Sequence, residues 1–144
     1  MRPGNRQPRA DQLMRIAQRV LAWERAPRAS HVDITLLSAA AMRRTNARAT
    51  GRRGLTDVIA YSLPQPDGRV VGDVYICPTA AAPPPRARPQ APRNGTRAGL
   101  REELVRLAVH GTLHVLGYDH PEGSGRTRSR MWRLQERYVK RILR

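Results

Sequence analysis

His110-Gly111-Thr112-Leu113-His114-Val115-Leu116-Gly117-Tyr118-Asp119-His120 is the stretch from which the rest of this 144-residue chain can be read. It holds three of the four histidines in the protein. His110 and His114 stand at i and i+4, so on a helix they share one face with Cβ atoms about 6 Å apart. Both imidazoles can then reach one metal ion at the usual Zn–N distance of about 2.1 Å. Gly117 offers a helix stop, because glycine takes the left-handed conformation at no steric cost. The chain can turn there and return His120 as a third ligand. Three neutral nitrogens on a tetrahedral ion leave one position for water, which describes a catalytic site better than a structural one. The expected cofactor is therefore one zinc ion per chain, held by His110, His114 and His120.

Working outward, Leu100, Leu104, Leu107, Gly111 and Val115 form one apolar stripe of a long helix. Caps for it lie in Asn94–Arg97, and it should end near Leu116. Gly111 faces the core on this wheel, where a missing side chain permits close backbone approach. Glu103 falls on the histidine side about two turns earlier, roughly 10 Å along the axis. That is too far to share the ion, and Glu103 is expected to line the cleft. Pro121–Gly125 reads as a loop. A last helix runs from about Thr127, with Met131, Leu134, Gln135, Tyr138, Val139 and Ile142 as its inner stripe. Its outer face is strongly basic. Such a run is ordinarily a solvated face, and RNA contact through Arg126, Arg130, Arg133 and Arg137 is the competing reading.

The N-terminal half alternates helix and strand. Residues 1–10 read as a disordered basic arm, and the domain proper as residues 11–144. From Asp11 a helical period places Leu13, Ile16, Ala17, Val20 and Leu21 on one face, closed by Pro27. In His31–Leu37, Val32, Ile34 and Leu36 alternate with Asp33 and Thr35, as in a half-buried strand. His31 is structural or exposed there, not a fourth ligand. Ser38 is an N-cap for a second helix to about Ala47. Ala49–Leu55 is a loop carrying Arg52 and Arg53. Thr56–Leu63 and Val70–Cys77 are β-rich runs joined through Asp67-Gly68, which favours a hairpin. Asp57 and Asp73 are expected to be structural. Pro83, Pro84, Pro85, Pro89 and Pro92 make Ala80–Asn94 an extended or poorly ordered segment, since each would break a helix. The order of elements indicates one α+β domain, a small mixed β-sheet packed against helices, with the three-histidine metal site on a helix laid across the sheet.

Composition narrows the partners. The formal charge is +16, from 27 Lys+Arg against 11 Asp+Glu, and Lys140 is the only lysine. Such a field attracts polyanions, and guanidinium pairs with phosphate in bidentate fashion, so nucleic acid is the default partner. The single Cys77 rules out an intrachain disulfide and suits a reducing cytoplasm. Nothing resembles a signal peptide, and no apolar run approaches the roughly 20 residues of a membrane span.

The spacing H-x-x-x-H-x-x-G-x-x-H is shared with metzincin proteases, whose helix carries Glu as general base after the first histidine. Here that place is Gly111, so a zinc metalloprotease-like hydrolase would lack its proton acceptor. The same eleven residues resemble the H-G-x-L-H-L-x-G-Y-D-H motif of the YbeY family, bacterial metal-dependent endoribonucleases of ribosomal RNA maturation. Thr56-Asp57-Val58-Ile59-Ala60-Tyr61 is similar to the family's T-D-V-L-S-F, and Gly72-Asp73-Val74-Tyr75-Ile76 to its G-D-I-x-I. The resemblance spans roughly residues 30–143. It implies a four-stranded sheet, of which three strands are legible here. It also implies a metal-dependent single-strand endoribonuclease acting in ribosomal RNA processing. Partners implied are ribosomal RNA, the small ribosomal subunit and an assembly GTPase, with no membrane involved. The family has a cleft Arg in an N-x-x-x-R-G segment, whereas Asn46-Ala47-Arg48-Ala49-Thr50-Gly51 puts Thr50 in that place. Arg48, Arg52 and Arg53 are the candidates to supply the catalytic cation from nearby. A non-catalytic RNA-binding assembly factor with a structural zinc remains a third reading.

Overall fold

The structure is a computed structural model that describes residues 7–81, 97–121, 125–126 and 129–144, without the side chains of Arg97 and Ala98. Most of the basic arm, the proline-rich run from residue 82 and the expected caps at 94–96 lie outside the described residues. The elements are α1 (Ala10–Trp23), β1 (His31–Leu36), α2 (Ala39–Thr50), β2 (Val58–Ser62), β3 (Val71–Ile76), α3 (Pro78–Ala81), α4 (Arg97–Val115) and α5 (Arg130–Leu143).

The described strands form a three-stranded mixed sheet in the order β1-β3-β2. β1 runs parallel to β3, with Val32 opposite Gly72 and Ile34 opposite Val74. β2 and β3 make the antiparallel hairpin, Ile59 opposite Tyr75 and Ser62 opposite Gly72. The turn works as Asp-Gly turns do. Gly68 takes φ 82°, and an Asp67 carboxylate oxygen accepts the Arg69 N–H at 3.0 Å. One sheet face presents Val32, Ile34, Val74 and Ile76, all buried, to α1 and α4.

α4 is the centre of the molecule. Leu104, Leu107, Ala108 and Val115 join the sheet-side cluster with Leu13 and Ala17 of α1. Val109 and Leu113 join a second cluster with Val20 of α1 and Met131 and Val139 of α5. A helix enclosed on nearly every side is a rigid mount, since each fully buried aliphatic side chain contributes about 1.5–3 kcal/mol. α5 contributes Met131, Gln135, Tyr138 and Val139 to the interior, the i, i+4, i+7, i+8 set of an amphipathic helix.

Several boundaries differ from the sequence expectation: α1 stops at Trp23, ahead of Pro27, and β2 is confined to Val58–Ser62. α2 continues past Ala47 to Thr50, because Gly51 (φ 72°) supplies the left-handed cap. α5 is described from Arg130, after Ser129, whose hydroxyl accepts the Trp132 N–H at 3.1 Å; the expected start at Thr127 lies outside the described residues. Ala80 and Ala81 close the short helix α3 instead of opening the extended segment.

Candidate metal centre

His110 and His114 lie on the last turns of α4, where Gly117 (φ 104°) ends the helix. The Gly117 and Tyr118 N–H groups donate back to the carbonyls of His114 and Leu113 at 2.9 and 3.0 Å. That reversal brings His120 against the first two rings. Ring centroids are 4.5 Å apart for His110–His114 and 5.1 Å for each pair with His120. One ligand nitrogen from each residue lies within 4.8 Å of the other two, so the group could hold a metal ion.

The hydrogen bonds decide which nitrogens are available. His114 Nδ1 lies 3.0 Å from the Tyr118 carbonyl and His120 Nδ1 3.1 Å from the Pro121 carbonyl. A carbonyl only accepts, so both Nδ1 atoms carry hydrogen. The Gln135 amide nitrogen donates to Glu136 at 3.0 Å, which turns its oxygen to His110 Nδ1 at 2.6 Å. All three imidazoles therefore keep the Nε2 lone pair free. His110 Nε2 and His114 Nε2 are 3.0 Å apart, close to the roughly 3.4 Å between two ligands of a tetrahedral zinc. Two facing lone pairs repel unless a cation lies between them. That cation is not a proton near neutrality, because burial holds His110 down at about 4 and lowers His114 as well. The donor set fits a nitrogen-preferring divalent metal.

Behind His110 runs a chain of bonds that composition and spacing gave no sign of. Gln135 bonds Glu136, and Glu136 takes a bidentate pair from Arg106 at 2.9 and 3.0 Å. Arg106 also donates to Glu103 at 3.1 Å. Glu103 is thus turned to Arg106, and it is not among the residues lining the histidine cleft. A ligand's second nitrogen held in this way fixes ring and tautomer. Gln135→Leu is expected to weaken zinc binding by about 10–100-fold, read by competition against a chelator. Unchanged affinity would show that Gln135 only fills space.

A cleft of about 620 Å³ opens over His110 and His114, walled by Asn46, Thr50, Arg52 and Arg53 and by edge strand β2. Asn46 shapes the wall, donating to the Gly54 carbonyl at 3.2 Å and accepting from the Thr50 hydroxyl at 2.8 Å. Arg48 lies elsewhere, in a separate cleft with Tyr61 and Tyr75. Helix geometry requires this: Asn46 and Thr50 share a face at i and i+4, while Arg48 is rotated about 200° from either. Arg126, read from the sequence only as part of the basic face, places its charge close enough to act on His110, His114 and Asp57. Its position six residues after His120 was the available signal. Asp57 is half-buried with its pKa raised by desolvation. His31 pairs with Asp33 at 3.1 Å and is outside the histidine group. Arg130, Arg133 and Arg137 line a third cleft, beside Tyr118.

The family model described as endoribonuclease YbeY matches residues 4–143. The endoribonuclease YbeY of Micrococcus luteus is 33% identical, over 92% of this chain and 83% of its own. That of Mycolicibacterium paratuberculosis is 32% identical, over 89% and 73%. A Thermotoga maritima protein solved in solution matches with a TM-score of 0.57 at 24% identity, covering 94% of this chain and 85% of that one. It supports the fold.

Proposed function

Because the chain belongs to the YbeY family, we propose that it is a metal-dependent endoribonuclease cutting single-stranded RNA. The observation that carries this reading is a group of three imidazoles able to hold one metal ion, two of which, His110 and His114, line a cleft walled by Arg52 and Arg53. Zinc is the proposed ion, one per chain, since an all-nitrogen tetrahedral set suits it. When bound, such an ion polarises a phosphate oxygen and makes water nucleophilic near neutral pH.

The chain's own residues hold and orient. His110, His114 and His120 supply the ligands. Arg52 and Arg53 line the wall and Arg126 lies near enough to act on the same imidazoles, so phosphate entering the cleft meets positive charge. Asn46 and Thr50 brace the loop bearing Arg52 and Arg53. Ribosomal RNA is the proposed substrate, and ribosome maturation in the cytoplasm, with the small subunit and an assembly GTPase, the proposed setting. No helix of the described residues is long and apolar enough to cross a membrane. A purely structural zinc is disfavoured, because two of its three ligands line an open cleft and the fourth position stays accessible from it.

The test offers metal-loaded protein both RNA and casein. Internal cuts in RNA, intact casein and loss of cutting after chelation are expected; RNA left whole by the metal-loaded parent would refute the reading. Replacing Arg52 or Arg53 by Ala should cost roughly 10²-fold in rate for at least one of them, as for loss of one oxyanion-type donor, with metal retained. Arg48→Ala should keep the parental rate.

A further inference from the structure

The third cleft, of about 460 Å³, lies where α5 meets Glu24 at the end of α1 and Tyr118 beyond α4, and none of the three histidines lines it. Arg130, Arg133 and Arg137 stand at i, i+3 and i+7, so all three guanidiniums converge on it. Among the described residues none of the three has an ion pair or a side-chain hydrogen bond. Arg106 shows what pairing looks like in this molecule, with both of its carboxylates engaged. The one acid lining the cleft among the described residues, Glu24, accepts a tyrosine hydroxyl on each oxygen. Tyr118 donates to one at 2.6 Å and Tyr138 to the other. Among the described residues, three cations against one carboxylate leave the cleft with a net charge of about +2, a repulsive arrangement unless an anion enters.

Tyr118 joins this cleft to the metal centre. Its carbonyl fixes His114 while its hydroxyl and ring wall the arginine cleft. We propose that Arg130, Arg133 and Arg137 form a phosphate-binding cleft that grips the backbone of a single strand whose neighbouring segment lies at the metal. The anion is a polynucleotide phosphodiester, recognised by charge and by guanidinium geometry and without base identity. The choice of ligand rests on the nuclease reading; the cleft does not.

The experiment measures binding of a short 2′-O-methyl single strand to the metal-loaded protein by fluorescence anisotropy across a salt series. Arg133→Glu/Arg137→Glu is expected to weaken binding at least 10-fold and to flatten the log–log salt slope by about 1.4, from roughly 0.7 per lost contact. Arg133→Gln/Arg137→Gln should give the same flattening with a smaller loss. Lys140→Glu/Arg144→Glu makes the same change in net charge farther along α5 and should bind within about 3-fold of parent. Equal weakening by both Glu pairs would reduce the effect to bulk charge and overturn the proposal, as would parental binding by the cleft variants. Pyrophosphate displacing the strand at matched charge would assign the cleft to free anions instead. A parent that binds in this pattern but cuts no RNA would remove the nuclease reading and keep the cleft. A cleft variant binding and cutting like parent would remove the cleft alone.

Discussion

His114→Ala is expected to strip the protein of its metal and abolish RNA cleavage. Three imidazoles converge on one point, and deleting one leaves a bidentate pair. Structural zinc sites are worth about 10–16 kcal/mol over four ligands, or roughly 2.5–4 kcal/mol per ligand, so affinity should fall on the order of 10²–10³-fold. Elemental analysis after dialysis should find close to one zinc per chain in the parent and little in the variant. Added zinc should raise the unfolding temperature of the parent and leave that of the variant unchanged, because only binding to the folded state stabilises it. The metal-free proteins should order the other way. His110 and His114 hold two unprotonated Nε2 atoms 3.0 Å apart, and removing one relieves that repulsion. A variant that keeps a full complement of zinc would mean that the ligands lie elsewhere. A metal-free variant markedly less stable than metal-free parent would mean that His114 serves chiefly to pack the end of α4.

How much of this was legible in the sequence depended on how local the physics is. The His110–His114 pair and the Gly117 reversal are set within single helical turns, and spacing alone placed them. Alternation in β1 gave the buried face, since Val32 and Ile34 are buried while Asp33 and Thr35 are exposed. The α5 stripe gave Gln135 as an inward residue without saying why an amide should be buried. That reason depends on His110, 25 residues away in sequence, and on Arg106 reaching Glu136 across 30. No periodicity encodes contacts between helices so far apart. Arg48 fails as a cleft residue through rotation about α2, which became definite only once the helix was known to continue to Thr50. Helix ends depend on caps worth about 1 kcal/mol, too small a difference to pick Ser129 over its neighbours from sequence. Burial of α4 on both sides was hidden too, because one stripe was visible while Val109 and Leu113 face a second cluster.

Gly111→Glu is expected to leave no folded protein, although it restores the residue a metzincin helix carries at this point. A Cβ on Gly111 would fall 2.6 and 2.9 Å from the two methyl carbons of Val74. Val74 is fully buried at the centre of β3, the strand bonded on both sides, so it cannot retreat. Helix propensity favours Ala over Gly by about 1 kcal/mol, but overpacking a closed core costs about 1–3 kcal/mol. Gly111→Ala should therefore be a net destabilisation, seen as a lower urea midpoint with unchanged slope. Glu adds a carboxylate against the fully buried Val74 side chain. The effective penalty is several kcal/mol more, against a total stability of about 5–15 kcal/mol for a domain. Trimming the obstacle should rescue the smaller change. Val74→Ala alone opens a cavity and costs on the order of 2 kcal/mol, yet combined with Gly111→Ala it should cost less than the two singles added, by about 1 kcal/mol or more. Gly111→Ala as stable as parent, or a double variant showing simple additivity, would sink the packing account of this glycine. A folded Gly111→Glu protein that cuts casein would go further and return the protease reading to consideration.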